Sequence, residues 1–377
     1  MKIVIAPDSY KNCLTAEKVA EHIDNGIKSV DKNIETVKFP LSDGGEGFTE
    51  LFLKNDKSEK ISIFATDPLG RKTKTYYCKI NETAYMDMSK ASGLELLNDN
   101  ERDPLNATTF GFGEMLLSAL DLGCKKIVCG IGGSATNDGG IGMAQALGAK
   151  FFHNDLLLDV KGGKYLDKID KIDINDLDKR IFSTEIVIAS DVDNRMIGEN
   201  GATYIYGPQK GAKYADLQIL ESGMKNYLKL LELMFNVEID VKGSGAAGGL
   251  GGGMIAFLNG KIQSGIQAVL ENISFDEVVR DSDLIITGEG KTDSQSANGK
   301  VLFGVSMAGS KYKIPVIAIS GSLEQGYEKL FNFGLTSAFS IIDNPTDLQS
   351  SIMNAGKNIE LTTINIMRMI KYLNKCS

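Results

Sequence analysis

The sequence has few of the residues on which several common kinds of chemistry depend. Only two histidines occur, His22 and His153, and they stand alone. The sequence therefore offers few residues from which a Ser-His-Asp or Cys-His catalytic site, or a two-histidine metal site, could be built. The five cysteines are widely spread and form no C-x-x-C pair. This pattern argues against a disulfide framework and a structural zinc site, and for a reducing compartment, so we expect a cytoplasmic protein.

Long apolar runs are also missing. The first apolar stretch covers only Ile3 to Ala6 before Pro7-Asp8 interrupts it. A signal-peptide core needs ~7–15 apolar residues and a membrane span needs ~18, so we expect neither. Lys and Arg number 41 against 49 Asp and Glu, a net charge of −8. Binding of nucleic-acid phosphates needs a basic face, which this balance disfavours. The oligomeric state is left open.

What the sequence does contain is an alternation of short apolar runs and helical patterns. Helices are predicted over 16–29, with Thr15 as N-cap, and over 346–372. The predicted strands cover 2–6, 34–39, 61–65, 73–79, 83–88, 126–130, 185–189, 283–287, 314–319 and 336–341. Such alternation is typical of a parallel sheet, so the predicted fold class is α/β.

Two domains are expected from the chain length of 377 residues, at roughly 100–200 residues per domain. Similar strand signals near both ends of the chain favour a discontinuous domain, residues 1–75 plus 285–377. The region 76–284 has its own strands and most of the glycines, and it is predicted to form an inserted second α/β domain.

Two glycine-rich blocks, 130–140 and 243–251, suggest binding of a phosphate-rich ligand. Each follows a candidate strand or opens a helix, where backbone N–H groups can meet an anion. The alternative is that the glycines serve tight turns and close helix packing. The candidate phosphate-binding residues in and around these blocks are Gly132, Gly133, Ser134, Asn137, Asp138, Lys210, Gly243, Ser244 and Gly245.

Carboxylates and lysines recur in similar blocks. Asp191 and Asp193 follow the strand 185–189 and would share one side of an extended chain. A carboxylate there could accept a hydroxyl proton or bind Mg²⁺ together with substrate phosphates. Helix caps, turns and solvated lysines are the structural alternatives. The further candidates in this group are Asp8, Ser9, Asp43, Asp293, Lys11 and Lys291.

One dinucleotide-like pattern is weak. Residues 243–248 match G-x-G-x-x-G after a possible strand at 237–241. A dinucleotide site would need a second strand ending in an acidic residue about 20 positions later. Residues 261–272 have a helical pattern instead. An NAD-dependent oxidoreductase acting on a small 2-hydroxy acid is nevertheless kept as an alternative, as is a non-catalytic nucleotide-binding protein.

Taken together, the blocks resemble one family over essentially the whole chain, the bacterial glycerate kinases of the first type. The resemblance is carried by the opening Met1-Lys2-Ile3-Val4-Ile5-Ala6-Pro7-Asp8-Ser9, by the blocks at 130–140, 201–212 and 243–251, and by the block at 288–305. Tyr10-Lys11-Asn12-Cys13 replaces the family's Phe-Lys-Gly-Ser, Arg195 stands where Pro is usual, and Lys291 stands for an Arg.

The resemblance implies ATP-dependent phosphorylation of D-glycerate with Mg²⁺, and 2-phosphoglycerate is the favoured product. It also implies a Rossmann-like domain made from both termini, with the site in a cleft beside the inserted domain. Asp191 would be the base or a metal-side carboxylate, with Asp193 and Asp293 as competing metal ligands. Lys11 and Lys291 would meet the substrate carboxylate or the transferred phosphate. Which glycine loop holds ATP is left open.

Overall fold

The computed structural model describes residues 1–41, 47–273, 275–297, 299–344 and 347–376. Its strands are, in chain order, β1 (Lys2–Ile5), β2 (Glu35–Lys38), β3 (Ser58–Thr66), β4 (Lys72–Ile80), β5 (Thr83–Asp87), β6 (Lys126–Gly130), β7 (Lys150–His153), β8 (Leu156–Leu157), β9 (Lys171–Asp173), β10 (Glu185–Ala189), β11 (Lys261–Gln263), β12 (Leu284–Thr287), β13 (Lys291–Thr292), β14 (Val316–Ser320), β15 (Ser322–Leu323) and β16 (Leu335–Ser340).

The α-helices are α1 (Ala16–Val30), α2 (Phe48–Phe52), α3 (Ser89–Ser92), α4 (Phe110–Asp121), α5 (Ile141–Ala146), α6 (Ala202–Tyr206), α7 (Tyr214–Phe235), α8 (Ala246–Leu258), α9 (Gly265–Asn272), α10 (Phe275–Arg280), α11 (Val301–Tyr312) and α12 (Leu348–Cys376). Every predicted strand is present with small shifts at its ends, which confirms the α/β class. Thr15 caps α1 as expected, since its hydroxyl accepts the N–H of Lys18 at 3.4 Å.

Packing divides the chain into two compact units, Met1–Asp43 with Ser264–Ser377, and Gly44–Gln263. The sequence-based boundaries, at 75/76 and 284/285, lie further along the chain. β3 pairs with β4 over its whole length, from Ser58 to Thr66, so it belongs to the second unit. Helices α9 and α10 pack against α11, which places 264–284 in the first unit.

The first unit contains a fully parallel five-stranded sheet in the order β16-β14-β12-β1-β2. Alternate strand residues face opposite sides, and Ile3, Ile5 and Ile286 pack with α1 and α12. Val4 and Ile285 are also completely buried, so both faces of the sheet are covered. In the order of the unit's main strands this is the 2-1-3-4-5 doubly wound arrangement, in which the strand order reverses between β1 and β12 while all five strands stay parallel.

The second unit contains a six-stranded sheet in the order β11-β10-β6-β5-β4-β3. Its four strands from β11 to β5 are parallel, and β3 and β4 form an antiparallel hairpin at the other edge. A small antiparallel sheet, β8-β7-β9, was not predicted from the sequence. Two short sequence predictions were wrong. No strand forms at 237–241, and 261–272 begins with strand β11 before α9 starts at Gly265.

The contact between α1 and α12 depends on a glycine in the first unit. A Cβ on Gly26 would lie 2.6 Å from Thr363 Cβ and 2.9 Å from the carbonyl oxygen of Glu360. Thr363 is completely buried, so the neighbouring helix has little room to move. The backbones approach closely here because residue 26 has no side chain.

Gly26→Ala should therefore lower the free energy of unfolding by about 1–3 kcal/mol through overpacking. This loss would appear although alanine has a helix propensity about 1 kcal/mol more favourable than glycine. Urea unfolding followed by circular dichroism measures it. Ser29→Ala is the matched control, because Ser29 is exposed on the same helix and should change stability by less than about 0.5 kcal/mol. A Gly26→Ala protein as stable as this control would contradict the interpretation.

Candidate active site

The carboxyl ends of four parallel strands lie side by side in the second unit. The strand register pairs Asp87 with Gly130, Gly130 with Ala189, and Ala189 with Gln263. Loops that leave parallel strands at this edge are where α/β proteins bind ligands. The predicted blocks at 130–140 and 189–194 therefore start at neighbouring points of one sheet edge.

The first part of the 130–140 loop is open to solvent. Gly132 and Gly133 are exposed, and Gly133 has a left-handed backbone conformation with φ of +70°. Leu94 donates its N–H to the Gly133 carbonyl at 2.9 Å, which holds the loop against the segment after α3. Among the described residues nothing accepts the N–H groups of Gly132 or Gly133. These two amides can therefore donate to an anion.

The second part of the same loop is closed by Asp138. Its completely buried carboxylate accepts the N–H of Thr109 at 2.8 Å and that of Gly140 at 3.1 Å. It also accepts the Thr109 hydroxyl and the N–H of Gly142. Burial raises the pKa of Asp138, and these hydrogen bonds oppose the rise. The contacts of Asp138 are thus those of a structural link between α4 and α5, and the first-turn amides of α5 are occupied.

The second glycine block has a packing role. The N–H of Gly245 donates to Asn194 O at 2.9 Å, and that of Ser244 donates to Val241 O at 3.1 Å. A Cβ on Gly245 would lie 2.1 Å from Arg195 O, and one on Gly248 would lie 2.1 Å from Thr136 O. The glycines therefore allow close approach of backbone segments, which is the structural alternative to phosphate binding. Gly243 has a φ of +84° and turns the chain before Ser244, which is completely buried.

The carboxylates after β10 lie on an irregular but well-anchored segment. Asn194 accepts the Tyr206 hydroxyl at 2.6 Å, and Met196 N donates to Asp240 at 2.7 Å. Asp191 is half-buried two residues beyond Ala189. The Asp193 side chain is 75% exposed, with a carboxylate oxygen 3.3 Å from Lys242 Nζ. Within the described residues no group of three or more His, Cys, Asp or Glu side chains could hold a metal ion.

Lys210 is completely buried beside the 130–140 loop. It ends the 3₁₀ turn Pro208–Lys210, and its Nζ donates to Ser134 Oγ and to Thr136 O, both at 2.7 Å. Burial lowers the pKa of Lys210 to about 7, and the charge of Asp138 opposes this shift. Asn137 is tied to the same neighbourhood, because its amide nitrogen lies 3.1 Å from the Thr203 hydroxyl.

In the first unit, the loops after β1 and β12 meet at the crevice where the strand order of the sheet reverses. Asp8 N donates to Gly288 O at 2.8 Å, and a Cβ on Gly290 would lie 3.2 Å from Tyr10 Cα. Ser9 N donates to the carboxylate of Asp8, which is 8% exposed. Doubly wound sheets bind ligands in this crevice. The predicted residues Asp8 and Ser9 therefore lie at a position where a doubly wound sheet can bind a ligand.

The charged residues near this crevice are more exposed. Lys11 is exposed, and Lys291 Nζ lies 2.9 Å from Glu324 and 3.7 Å from Asp293. The hydrogen bond and charge of Glu324 raise the pKa of Lys291. Asp293 Oδ1 accepts the N–H of Gln295 at 2.8 Å, as in a turn. The predicted residue Asp43 lies outside the described residues.

Two buried carboxylates that lie at or just beyond the ends of strands were not predicted from the sequence. Asp87 ends β5 and accepts the Thr49 N–H at 3.1 Å, and burial raises its pKa to about 7. Glu289 follows β12 and is 7% exposed, and no described residue hydrogen bonds to its Oε1. Burial raises the pKa of Glu289 as well. The only available signal was an acidic residue directly after an apolar strand, which the sequence offers at many positions.

The structure therefore sorts the predicted site residues into two groups. Asp8, Ser9, Lys11, Lys291 and Asp293 gather after β1 and β12 of the first unit. The residues of the second unit gather in the loops after β6 and β10 and in the segments packed on those loops, namely Gly132, Gly133, Ser134, Asn137, Asp138, Asp191, Asp193, Lys210, Gly243, Ser244 and Gly245.

Parallel sheets with exposed backbone amides and carboxylates after their strands define an α/β protein with a candidate anion-binding edge. A model of the glycerate kinase family matches residues 3–371. Glycerate 2-kinase of Escherichia coli K12 is 41% identical over 97% of both chains, and glycerate kinase of Halalkalibacterium halodurans is 40% identical over 97% of both. A solved Salmonella typhimurium LT2 structure, named as a glycerate kinase 2, covers 100% of both chains with a TM-score of 0.83 and 37% identity. The chain belongs to the glycerate kinase family.

If the Gly133 amide binds phosphate, Gly133→Ala should raise the KM for ATP at least about fivefold. The substitution strains a left-handed residue by roughly 1–2 kcal/mol and crowds the loop, since its Cβ would lie 3.3 Å from Ser89 Cβ. Steady-state kinetics and thermal unfolding measure the two effects separately.

Gly123→Ala is the matched control. Gly123 has a similar φ of +74°, and a Cβ at this position would meet nothing within 4 Å, so the variant carries the same backbone strain outside the loop. Both proteins should lose similar stability, and only Gly133→Ala should change the KM. Equal kinetics in the two proteins would assign the glycine at 133 to folding alone.

Proposed function

We propose that this protein transfers the γ-phosphoryl group of ATP to the 2-hydroxyl of D-glycerate. Membership of the glycerate kinase family supports the substrates, and the relative named glycerate 2-kinase supports the position. The observation that carries the proposal is the register between β6 and β10. It starts the Gly132–Gly133 loop and the Asp191 segment at adjacent points of one sheet edge.

The open loop would bind phosphate oxygens of ATP. Two neighbouring N–H groups without an acceptor among the described residues offer fixed dipoles at the carboxyl edge of the sheet. The 243–251 block would support this loop, because the amides of Ser244, Gly245, Ala246 and Gly249 already donate to backbone carbonyls. Of the two glycine blocks, 130–140 is therefore our choice for the nucleotide phosphates. Such donors need no reorganisation when charge develops during phosphoryl transfer.

Asp191 would act on the hydroxyl of glycerate or on the metal side of the nucleotide. A carboxylate within reach of the attacking hydroxyl accepts its proton as the new O–P bond forms. The carboxylate of Asp191 is half-buried, which keeps its position better defined than that of the exposed Asp193. Lys11 and Lys291 remain candidates for the carboxylate of glycerate or the transferred phosphate.

Mg²⁺ is part of the proposal. The ion takes hard oxygen ligands and is commonly held by one or two carboxylates together with phosphates of the substrate, so a protein cluster of three is not required. Asp191 and Asp193 fit this pattern. Asp293 fits it less well, because one of its oxygens already accepts the Gln295 N–H. When bound, the ion would neutralise charge on the β- and γ-phosphates.

The rival functions have weaker support. An NAD-dependent oxidoreductase would need the G-x-G-x-x-G at 243–248 after a strand, but 237–241 has none, and the amides of 244–246 already donate to backbone carbonyls. In a non-catalytic nucleotide-binding protein, a carboxylate at the position of Asp191 would have no role. We also propose a cytoplasmic location, because the widely spread cysteines indicate a reducing compartment. No described helix is long and apolar enough to cross a membrane.

The product identifies the reaction and its position in one experiment. With ATP, Mg²⁺ and D-glycerate, phosphorus NMR should show a monoester signal split into a doublet, because the C2 oxygen is attached to a carbon bearing one proton. Transfer to the 3-hydroxyl would instead give a triplet, from the two protons on C3. A sample without glycerate controls for ATP hydrolysis. A triplet would overturn the position, and an absence of any new monoester would overturn the activity.

Asp191→Asn should lower kcat by at least about a hundredfold while the unfolding midpoint changes little. The substitution keeps size and shape but removes the charge that accepts a proton, an effect typically worth about 10²–10⁴-fold. Steady-state kinetics at saturating ATP measures it, and a Mg²⁺ titration separates the two roles. A base leaves the Mg²⁺ requirement unchanged, whereas a ligand weakens it.

Asp193→Asn is the comparison variant in the same segment. Its carboxylate is exposed and paired only with Lys242 among the described residues, so a metal role predicts a changed Mg²⁺ dependence with a smaller loss of kcat. An Asp191→Asn protein within about threefold of the wild-type kcat would remove Asp191 from the mechanism and transfer the role to Asp293.

A further inference from the structure

Lys210 is a lysine whose ammonium group has only internal partners. Its side chain is 2% exposed, and two of the three Nζ donors bond to Ser134 Oγ and Thr136 O. Lysine is almost never fully buried unless it is paired. The sequence predicts a direct phosphate contact for Lys210, and in the structure its ammonium group lies beneath the surface and bonds to the loop itself.

The contacts of Lys210 converge on the part of the loop that follows the free amides. Ser134 comes directly after the exposed Gly132 and Gly133 and is itself 6% exposed. A second segment also holds the loop, because Ala135 N donates to Ser92 O at 2.9 Å. Removing the lysine would leave Ser134 and the carbonyl of Thr136 without the donor that holds them.

We propose that Lys210 is a positioning residue, which acts through Ser134 to hold the Gly132–Gly133 amides in place and supplies positive charge beneath the bound phosphates without touching them. This inference rests on the proposed function, because it assumes that the loop binds ATP. It differs from the sequence prediction in the route by which the lysine acts. It also predicts that phosphate binding and the protonation of this lysine are coupled.

The sign of the coupling follows from the surroundings of the lysine. In the free protein, burial lowers the pKa of Lys210 to about 7, so its charge is present below that pH and lost above it. Asp138, on the loop itself, acts in the opposite direction. Arg102 lies near the turn that carries the lysine, with Nη1 3.5 Å from Gln209 O. A bound phosphate favours the charged lysine, so ATP binding above pH 7 must take up a proton.

The experiment compares wild type, Lys210→Met and Lys213→Met between pH 7 and 9. In wild type the KM for ATP should rise by up to about tenfold per pH unit, since each binding event then requires a protonation. In Lys210→Met, which has similar length but no charge, the KM should be at least about tenfold higher at pH 7 and should no longer vary with pH. Lys213→Met, at an exposed lysine three residues away, should follow wild type.

Thermal unfolding without ATP supplies a readout that is independent of activity. The unfolded lysine binds a proton up to about pH 10, whereas the folded one releases it near pH 7, so the unfolded state holds more protons between these values. The Tm of wild type should therefore rise relative to that of Lys210→Met as the pH increases from 7 to 9. Failure of the proposed kinase activity would leave this comparison intact.

Ser134→Ala keeps the ammonium group but removes one of its acceptors. It should raise the KM for ATP, and the KM should still depend on pH as in wild type. This result separates the effect of the lysine charge from that of its hydrogen bond to Ser134. Should Lys210→Met fail to fold, Ser134→Ala with an unchanged KM would overturn the proposal. A Lys210→Met protein that folds with the KM and pH profile of wild type would also overturn it.

Discussion

The buried carboxylate of Asp138 is the interaction on which the candidate site most depends. By accepting hydrogen bonds from Thr109, Gly140 and Gly142 it joins the starts of α4 and α5 to the loop that leaves β6. A completely buried carboxylate is tolerated only when its oxygens are well satisfied, and here four donors meet it. Among the described residues of this loop, Gly132 and Gly133 combine exposure to solvent with N–H groups that have no acceptor.

Asp138 and Lys210 place opposite charges in the same interior region. The charge of Asp138 favours the charged form of Lys210 and so opposes the lowering of the Lys210 pKa by burial. The two residues approach the loop from different elements, one from the loop itself and one from the turn before α7. A loop held in this way keeps its exposed amides in place, as the proposed phosphate site requires.

The glycines in and beside the two glycine-rich blocks have two different structural roles. Gly248 and Gly253 permit contact between backbones, because a Cβ on either would lie within 2.4 Å of a carbonyl oxygen of the 136–140 segment. Gly133 instead lies in the open with a left-handed φ. A substitution at Gly248 or Gly253 would disturb the packing of the second unit, whereas a substitution at Gly133 would act at the proposed phosphate site. Glycines of the exposed kind, such as Gly133, are fewer than those that serve packing. A glycine-rich block is therefore weak evidence for a phosphate site by itself.

The α/β class, the positions of the main strands and the N-cap of α1 could be predicted from the sequence alone. These properties depend on periodicity and on short-range chemistry, which contiguous residues carry. The sequence also carried the family resemblance, and so the proposed reaction. The short strand β11 was misread because three residues hold too little pattern.

Which candidate residues remain available to a ligand depends on contacts that form only when the chain folds. The amides of 244 and 245, the carboxylate of Asp138 and the ammonium of Lys210 are all occupied by partners distant in the chain or by the fold of their own loop. Burial produced the unusual environments of Asp87 and Glu289, which no local pattern distinguishes from other acidic residues. Hydrogen-bond commitment and burial arise between segments brought together by folding, so they cannot be read from one segment alone.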